Sequence, residues 1–117
     1  EEDEMEALII IIVAVLFLVW RMKPTKGVKS ISAHELKQQL NDPNKVYIDV
    51  RTPAEFKARN IKQFKNMPLG SDLSKLPKDK EIIVICQSGM RSAQACKQLK
   101  KLGYEKVTNV RGGIGSY

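Results

Sequence analysis

EIIVICQSGMRSAQACKQL, residues 81–99, combines a strand, a cysteine, a short loop and a helix. The β-branched run over 82–85 is typical of a strand that is buried on both faces. Cys86 follows this strand directly, and an amphipathic helix begins just after the loop 87–90. Amides of the loop and of the first helical turn have no partner within the helix, so they favour an anion beside Cys86. We therefore predict a thiol that loses its proton easily and acts as a nucleophile.

A positive charge lies at the mouth of the same loop. Arg91 follows Cys86 after four intervening residues, and a cation there suits chemistry on anionic substrates. The residues predicted to surround the substrate are Gln87, Ser88, Gly89, Met90, Arg91 and Ser92.

Composition sets limits on the class of protein. The 117 residues suffice for one small domain and a tail. The net charge is +7, but residues 1–23 hold five acids and two bases, so the remainder carries +10. The lysines are scattered and not interleaved with aromatics, which argues against a nucleic-acid partner. Cys86 and Cys96 lack metal-ligand spacing and there is a single histidine, so we predict no metal and no cofactor.

The N-terminal segment is apolar without interruption over 7–20. At about 1.5 Å per residue this run covers only about 21 Å of the roughly 30 Å hydrocarbon core, but extending it to residue 22 adds length. We expect an acidic flank over 1–6, a membrane-anchor helix over 7–22 and a basic linker over 23–29. The acidic flank argues against a signal peptide, and the all-round apolarity argues against a core helix.

The charges that flank this segment predict its orientation. Basic residues follow the apolar run and none precedes it. The positive-inside rule then predicts a single-pass protein of the cell membrane with its folded domain on the cytoplasmic side.

The remaining chain alternates strands with short helices. Ser32 and Thr52 are expected N-caps, the first within a capping box. Helices are expected over 33–40, 54–59 and 71–76, and strands over 46–50, 64–69 and 106–110. This order predicts an α/β domain over 30–117 with a mostly parallel sheet.

A pair of charged residues ends the strand 46–50. The ordinary interpretation of Asp49 and Arg51 is an ion pair or capping network, with Glu55 as one possible partner for Arg51; a direct chemical role is the alternative. Ligand sites of parallel sheets lie beyond the carboxyl ends of the strands. Cys86 and the Asp49–Arg51 pair should therefore support one site.

Several motifs in a fixed order resemble a known family. They are YIDVRTPAEF at 47–56, NMPL at 66–69, CQSGMRS at 86–92 and LGYEKVTNVRGG at 102–113. Over about 28–117 the chain resembles a single-domain rhodanese, a sulfurtransferase, and its N-terminal segment suggests a membrane-anchored bacterial type. Residues 59–61 (RNI) depart from the family's usual GHI.

The resemblance implies a three-layer α/β/α domain and a persulfide on Cys86. The donor would be a small anion such as thiosulfate, or a persulfide, and Arg91 would suit the anion. The acceptor would be cyanide or a thiol, and a sulfur-relay protein is a further partner. The loop 87–92 would stabilise the persulfide, with Asp49 and Arg51 in support.

Two other functions stay open at this point. A cysteine-dependent phosphatase or arsenate reductase also uses a cysteine, loop amides and an arginine, but its loop is one residue longer. A non-catalytic, membrane-tethered interaction domain is the second, and the presence of Cys86 disfavours it. Cys96 lies on the apolar helix face, where packing is the expected role, and a disulfide between the two cysteines is not expected.

Overall fold

The computed structural model describes residues 2–22 and 25–117. In these ranges the elements follow one another as α1 (Glu2–Met22), β1 (Val28–Ile31), α2 (Ala33–Lys37), β2 (Lys45–Asp49), α3 (Pro53–Ala58), β3 (Lys65–Asn66), β4 (Glu81–Ile85), α4 (Met90–Lys101), β5 (Val107–Val110) and a final 3₁₀ turn, Gly113–Ser116.

The five strands form one parallel sheet in the order β1-β5-β4-β2-β3. Strands β2 and β4 are neighbours, and Asp49 lies opposite Ile85 in their register. The carboxyl ends of all strands therefore meet at one edge of the sheet. Cys86 and the polar residues after β2 lie together at that edge, as predicted.

Strand β4 shows why this sheet needs helices on both faces. Ile82 and Val84 pack in a cluster with Leu99 of α4, whereas Ile83 and Ile85 pack in a second cluster with Leu36 of α2. All four β4 side chains are fully buried, because successive side chains of a strand point to opposite faces. This arrangement is the expected three-layer α/β/α domain.

The predicted helix over 71–76 is not present, and this prediction was wrong. The segment forms turns, in which the Asp72 side chain accepts hydrogen bonds from the Ser74 amide (3.0 Å) and the Ser74 hydroxyl (2.5 Å). Such local bonds compete with helical ones. The hydroxyl of Tyr104 donates to the carbonyl oxygens of Leu73 and Leu76, at 2.8 and 2.7 Å, and ties the turns to the domain.

Strand β1 was not predicted, and it takes up residues that the sequence assigned to the basic linker. Val28–Ile31 pairs in parallel with β5, so the sheet begins two residues before the expected boundary at residue 30. Only its last side chain is fully buried, and for this reason the segment carries little apolar periodicity.

Helix α1 begins with three acidic residues, Glu2, Asp3 and Glu4. Its apolar side chains from Leu8 to Trp20 are exposed. Among the helices of residues 2–22 and 25–117, none is long and apolar enough to cross a membrane. The transmembrane anchor predicted over 7–22 is thus not supported, and the cytoplasmic-face location stays a prediction. Lys23 and Pro24 of the expected linker lie outside the described residues.

Candidate active site

The site is built around Cys86, the first residue after β4. Its side chain is fully buried, with 0 % of its surface exposed. The sulfur accepts a hydrogen bond from the Gly89 amide at 3.0 Å, and the Ser92 hydroxyl lies 3.3 Å from it. The loop thus closes on its own cysteine, and the sulfur lies at the start of α4.

Glycine at position 89 makes this closure possible. Gly89 caps α4 with a φ of +103°, in the left-handed region that residues with a Cβ rarely adopt. Its amide can then face the Cys86 sulfur while its carbonyl accepts the helical bond from Ala93 at 3.1 Å. Any larger residue at position 89 would strain this turn.

Hydrogen bonds lower the pKa of Cys86 below that of an ordinary thiol. Burial, which is the largest single influence, raises the pKa. The side chain and amide of Ser92 and the amides of Gly89 and Ser88 act in the opposite direction, and together they outweigh burial. The loop therefore favours the thiolate, as the sequence predicted from unpaired amides.

Asn109 holds the Ser92 hydroxyl in place. Ser92 donates to the side-chain oxygen of Asn109 on β5 at 2.6 Å, and the Asn109 amide nitrogen lies 3.3 Å from the Gly89 carbonyl. One asparagine from the neighbouring strand therefore contacts both Ser92 and Gly89, whose groups face the sulfur.

The C-terminal turn supports the loop from the other side. The amides of Ile114 and Gly115 donate to the carbonyls of Cys86 and Gln87, at 2.9 and 3.0 Å. A Cβ at Gly113 would overlap the Cys86 carbonyl oxygen. The second glycine of the pair that ends the family-like motif thus lets the backbone approach the cysteine closely.

Asp49 and Arg51 form a buried ion pair next to the loop. Arg51 is 2 % exposed, and its Nη2 lies 2.9 Å from an Asp49 carboxylate oxygen. The side chain of Asn66 donates to the carbonyls of both residues, at 3.0 and 2.9 Å. This is the structural ion pair that the sequence favoured. Arg51 does not pair with the Glu55 carboxylate; it contacts the Glu55 carbonyl oxygen at 3.4 Å.

The surroundings of Arg91 differ from the prediction. Its guanidinium forms two parallel hydrogen bonds with the carboxylate of Glu55 on α3, at 2.7 and 2.9 Å. The hydrogen bonds from Arg91 and Thr52 lower the pKa of Glu55 to about 2. Glu55 in turn raises the pKa of Arg91. Arg91, which was predicted to bind an anionic substrate, is therefore paired with the Glu55 carboxylate.

The predicted loop residues contribute in different ways. Gly89 and Ser92 and the backbone amide of Ser88 face the sulfur. The side chains of Gln87, Ser88 and Met90 are exposed, that of Met90 being 77 % exposed. The sequence reading did not assign a site role to Glu55 or to Asn109.

Cys96 lies inside α4 and is also fully buried. It packs in the same apolar cluster as Ala95 and Leu99, and burial raises the pKa of its thiol to about 12. Both cysteines are free. The packing role predicted for Cys96 agrees with these surroundings.

Comparison with known proteins identifies the family. The rhodanese-like domain model matches residues 32–117. A sulfurtransferase of Allochromatium vinosum is 40 % identical over 91 residues, which cover 74 % of this chain and 85 % of the relative. A putative sulfurtransferase of Bacillus subtilis, YtwF, is 38 % identical over 91 residues, covering 74 % and 87 %.

The fold comparison agrees with the sequence comparison. The crystal structure of a rhodanese-like domain protein from Staphylococcus aureus superposes with a TM-score of 0.68 at 30 % identity, covering 75 % of this chain and 89 % of that one. The chain belongs to the rhodanese-like domain family.

Proposed function

We propose that this protein is a sulfurtransferase that carries a sulfane sulfur as a persulfide on Cys86. The observation that supports this most is the set of groups that face the Cys86 sulfur. The Gly89 amide donates to it at 3.0 Å and the Ser92 hydroxyl lies 3.3 Å from it, and the amides of Ser88 and Ser92 also lower its pKa. Relatives of 38–40 % identity are named as sulfurtransferases.

The first half-reaction loads the cysteine. The Cys86 thiolate attacks the outer sulfur of thiosulfate, the sulfur–sulfur bond breaks, and sulfite leaves with the bonding electron pair. With a hydropersulfide donor the same attack releases a thiolate. The terminal sulfur of the persulfide then carries the negative charge, and the loop amides that lower the pKa of Cys86 favour this anion too.

The second half-reaction removes the terminal sulfur from Cys86. A thiolate or cyanide attacks the terminal sulfur, and Cys86 leaves as the thiolate, so that the acceptor gains one sulfur atom and no net oxidation occurs. Because the lowered pKa of Cys86 makes it a good leaving group, the same loop assists both steps. A protein thiol of a sulfur relay is an acceptor of the same chemical class.

Access to the sulfur requires a displacement of the groups that cover it. Cys86 has no exposed surface in this conformation, whereas the next two residues, Gln87 and Ser88, are exposed. Substrate entry past the loop side chains therefore precedes chemistry.

The site fits phosphoryl or arsenate chemistry less well. Four residues separate Cys86 from Arg91, one fewer than the phosphatase loop needs to surround a tetrahedral oxyanion. The guanidinium of Arg91 is also paired with Glu55 and does not turn into the loop.

A direct comparison of the two activities tests the proposal. The purified chain is incubated with thiosulfate and cyanide, and thiocyanate is measured. A parallel sample receives a hydropersulfide and a thiol acceptor. A third sample receives an aryl phosphate. We expect sulfur transfer in at least one of the first two assays and no hydrolysis of the phosphate. Hydrolysis of the phosphate without transfer from any sulfane donor would overturn the proposal.

A further inference from the structure

The Arg91–Glu55 pair links two helices across the site. Glu55 lies on α3 after β2, and Arg91 lies in the first turn of α4 after the loop. The fork geometry uses both Nη nitrogens of the guanidinium and both carboxylate oxygens, which is a strong arrangement for such a pair. Each side chain is about one-third exposed, at 35 % for Arg91 and 34 % for Glu55.

Glu55 is held in this position by a second set of bonds. It belongs to a capping box with Thr52, whose amide and hydroxyl donate to one carboxylate oxygen at 3.2 and 3.0 Å. The same oxygen accepts the 2.7 Å bond from Arg91. The helix cap therefore fixes the carboxylate that faces Arg91, so the pair is preorganised.

The charged groups around Cys86 balance one another. Arg51 is paired with Asp49, and Arg91 is paired with Glu55. Among the residues 86–92 that form the loop, Arg91 is the single cation. With both arginines paired, the thiolate of Cys86 leaves this group of side chains with one net negative charge, which disfavours the approach of a dianion.

We propose that Glu55 is a specificity-determining residue that directs this site towards hydropersulfide donors and away from thiosulfate. The inference rests on the sulfurtransferase function proposed above. Thiosulfate carries two negative charges and would have to compete with Glu55 for Arg91. A hydropersulfide bearing an uncharged organic group carries at most one negative charge, on its terminal sulfur, and its attack by the Cys86 thiolate releases only a thiolate.

The chain offers a matched control for this idea. Ser32 and Glu35 form a second capping box at the start of α2, with bonds of 3.2 and 3.1 Å. Glu35 makes the same cap as Glu55 but has no bond to Arg91. Glutamine preserves a capping box, so Glu55→Gln and Glu35→Gln remove equal charge from equivalent caps.

The experiment measures the rate of Cys86 persulfide formation from thiosulfate, a dianion, and from an alkyl hydropersulfide whose organic group is uncharged. We expect Glu55→Gln to raise the thiosulfate-to-hydropersulfide rate ratio about two- to fivefold, as expected for a partly exposed charge pair, and the gain to shrink at high salt. Glu35→Gln should leave the ratio unchanged. Arg91→Gln, added to Glu55→Gln, should remove the gain.

An unchanged or lowered ratio in Glu55→Gln would overturn the inference, because Glu55 would then be irrelevant to Arg91 or would aim Arg91 at the anion. The same result in Glu35→Gln as in Glu55→Gln would also overturn it, since the effect would belong to overall charge. Failure of the unaltered chain to form a persulfide from either donor would instead refute the proposed function.

Discussion

Cys86 and Cys96 are both fully buried, yet their environments act on the thiol in opposite directions. The pKa of Cys96 is raised to about 12, whereas that of Cys86 is lowered. Burial raises the pKa at both positions. The difference is the set of hydrogen-bond donors that only Cys86 has, so depth of burial by itself does not make a cysteine inert.

Position along the chain produces this difference. Cys86 follows the end of a strand, where the amides of the loop and of the first turn of α4 have no helical partner and can face the sulfur. Cys96 lies within α4, where amides are engaged in helical bonds, and its neighbours Ala95 and Leu99 are apolar. The pKa of Cys86, just before the start of α4, is thus lowered, whereas the pKa of Cys96, in the middle of the same helix, is raised.

Replacement of each cysteine by alanine should separate the two roles most strongly. Cys86→Ala removes the nucleophile, so we expect sulfur transfer to fall at least about a thousandfold. Cys96→Ala should keep transfer within about twofold and lower the free energy of unfolding by about 1 kcal/mol, because a buried sulfur loses its contacts. Transfer rates and urea unfolding of both variants measure this. Equal losses of sulfur transfer in the two variants would show that the two cysteines do not differ in role.

Removal of the Ser92 hydroxyl should shift the pKa of Cys86 towards that of Cys96. In Ser92→Ala the hydroxyl at 3.3 Å from the sulfur is lost, so we expect the pKa of Cys86 to rise. Because only the thiolate reacts, the midpoint of alkylation by a small haloacetamide should move to higher pH. Transfer at neutral pH should fall about two- to tenfold.

Ser74→Ala, which changes a serine in the 71–76 turns, serves as the control for this shift. A pH profile of Cys86 alkylation that is the same in Ser92→Ala as in the unaltered chain would show that the amides alone lower the pKa.

The loop was predictable because its features are local in the sequence. The β-branched run of β4, the cysteine at its end and the following amphipathic helix predicted both the strand and the reactive thiol. The partners Glu55 and Asn109 were not assigned, since α3 and β5 meet the loop only through the order and register of the sheet.

The helix wrongly predicted over 71–76 and the unpredicted strand β1 are errors with the same physical origin. The 71–76 turns are held by Tyr104, far along the chain, and β1 is a strand because β5 is available to pair with it. The local sequence of each segment does not reveal the distant partner, Tyr104 or β5, that determines its structure. The TPAE sequence at 52–55 did hold a usable signal, since a capping box fixes where its glutamate points.

Mass spectrometry of the intact chain and of its peptides, after incubation with thiosulfate and separately with a hydropersulfide, tests the central claim most directly. We predict a gain of one sulfur atom, located on the peptide that contains Cys86, and its loss on addition of cyanide or a thiol. A sulfur adduct on Cys96 with none on Cys86, or no adduct from any sulfane donor, would contradict the account.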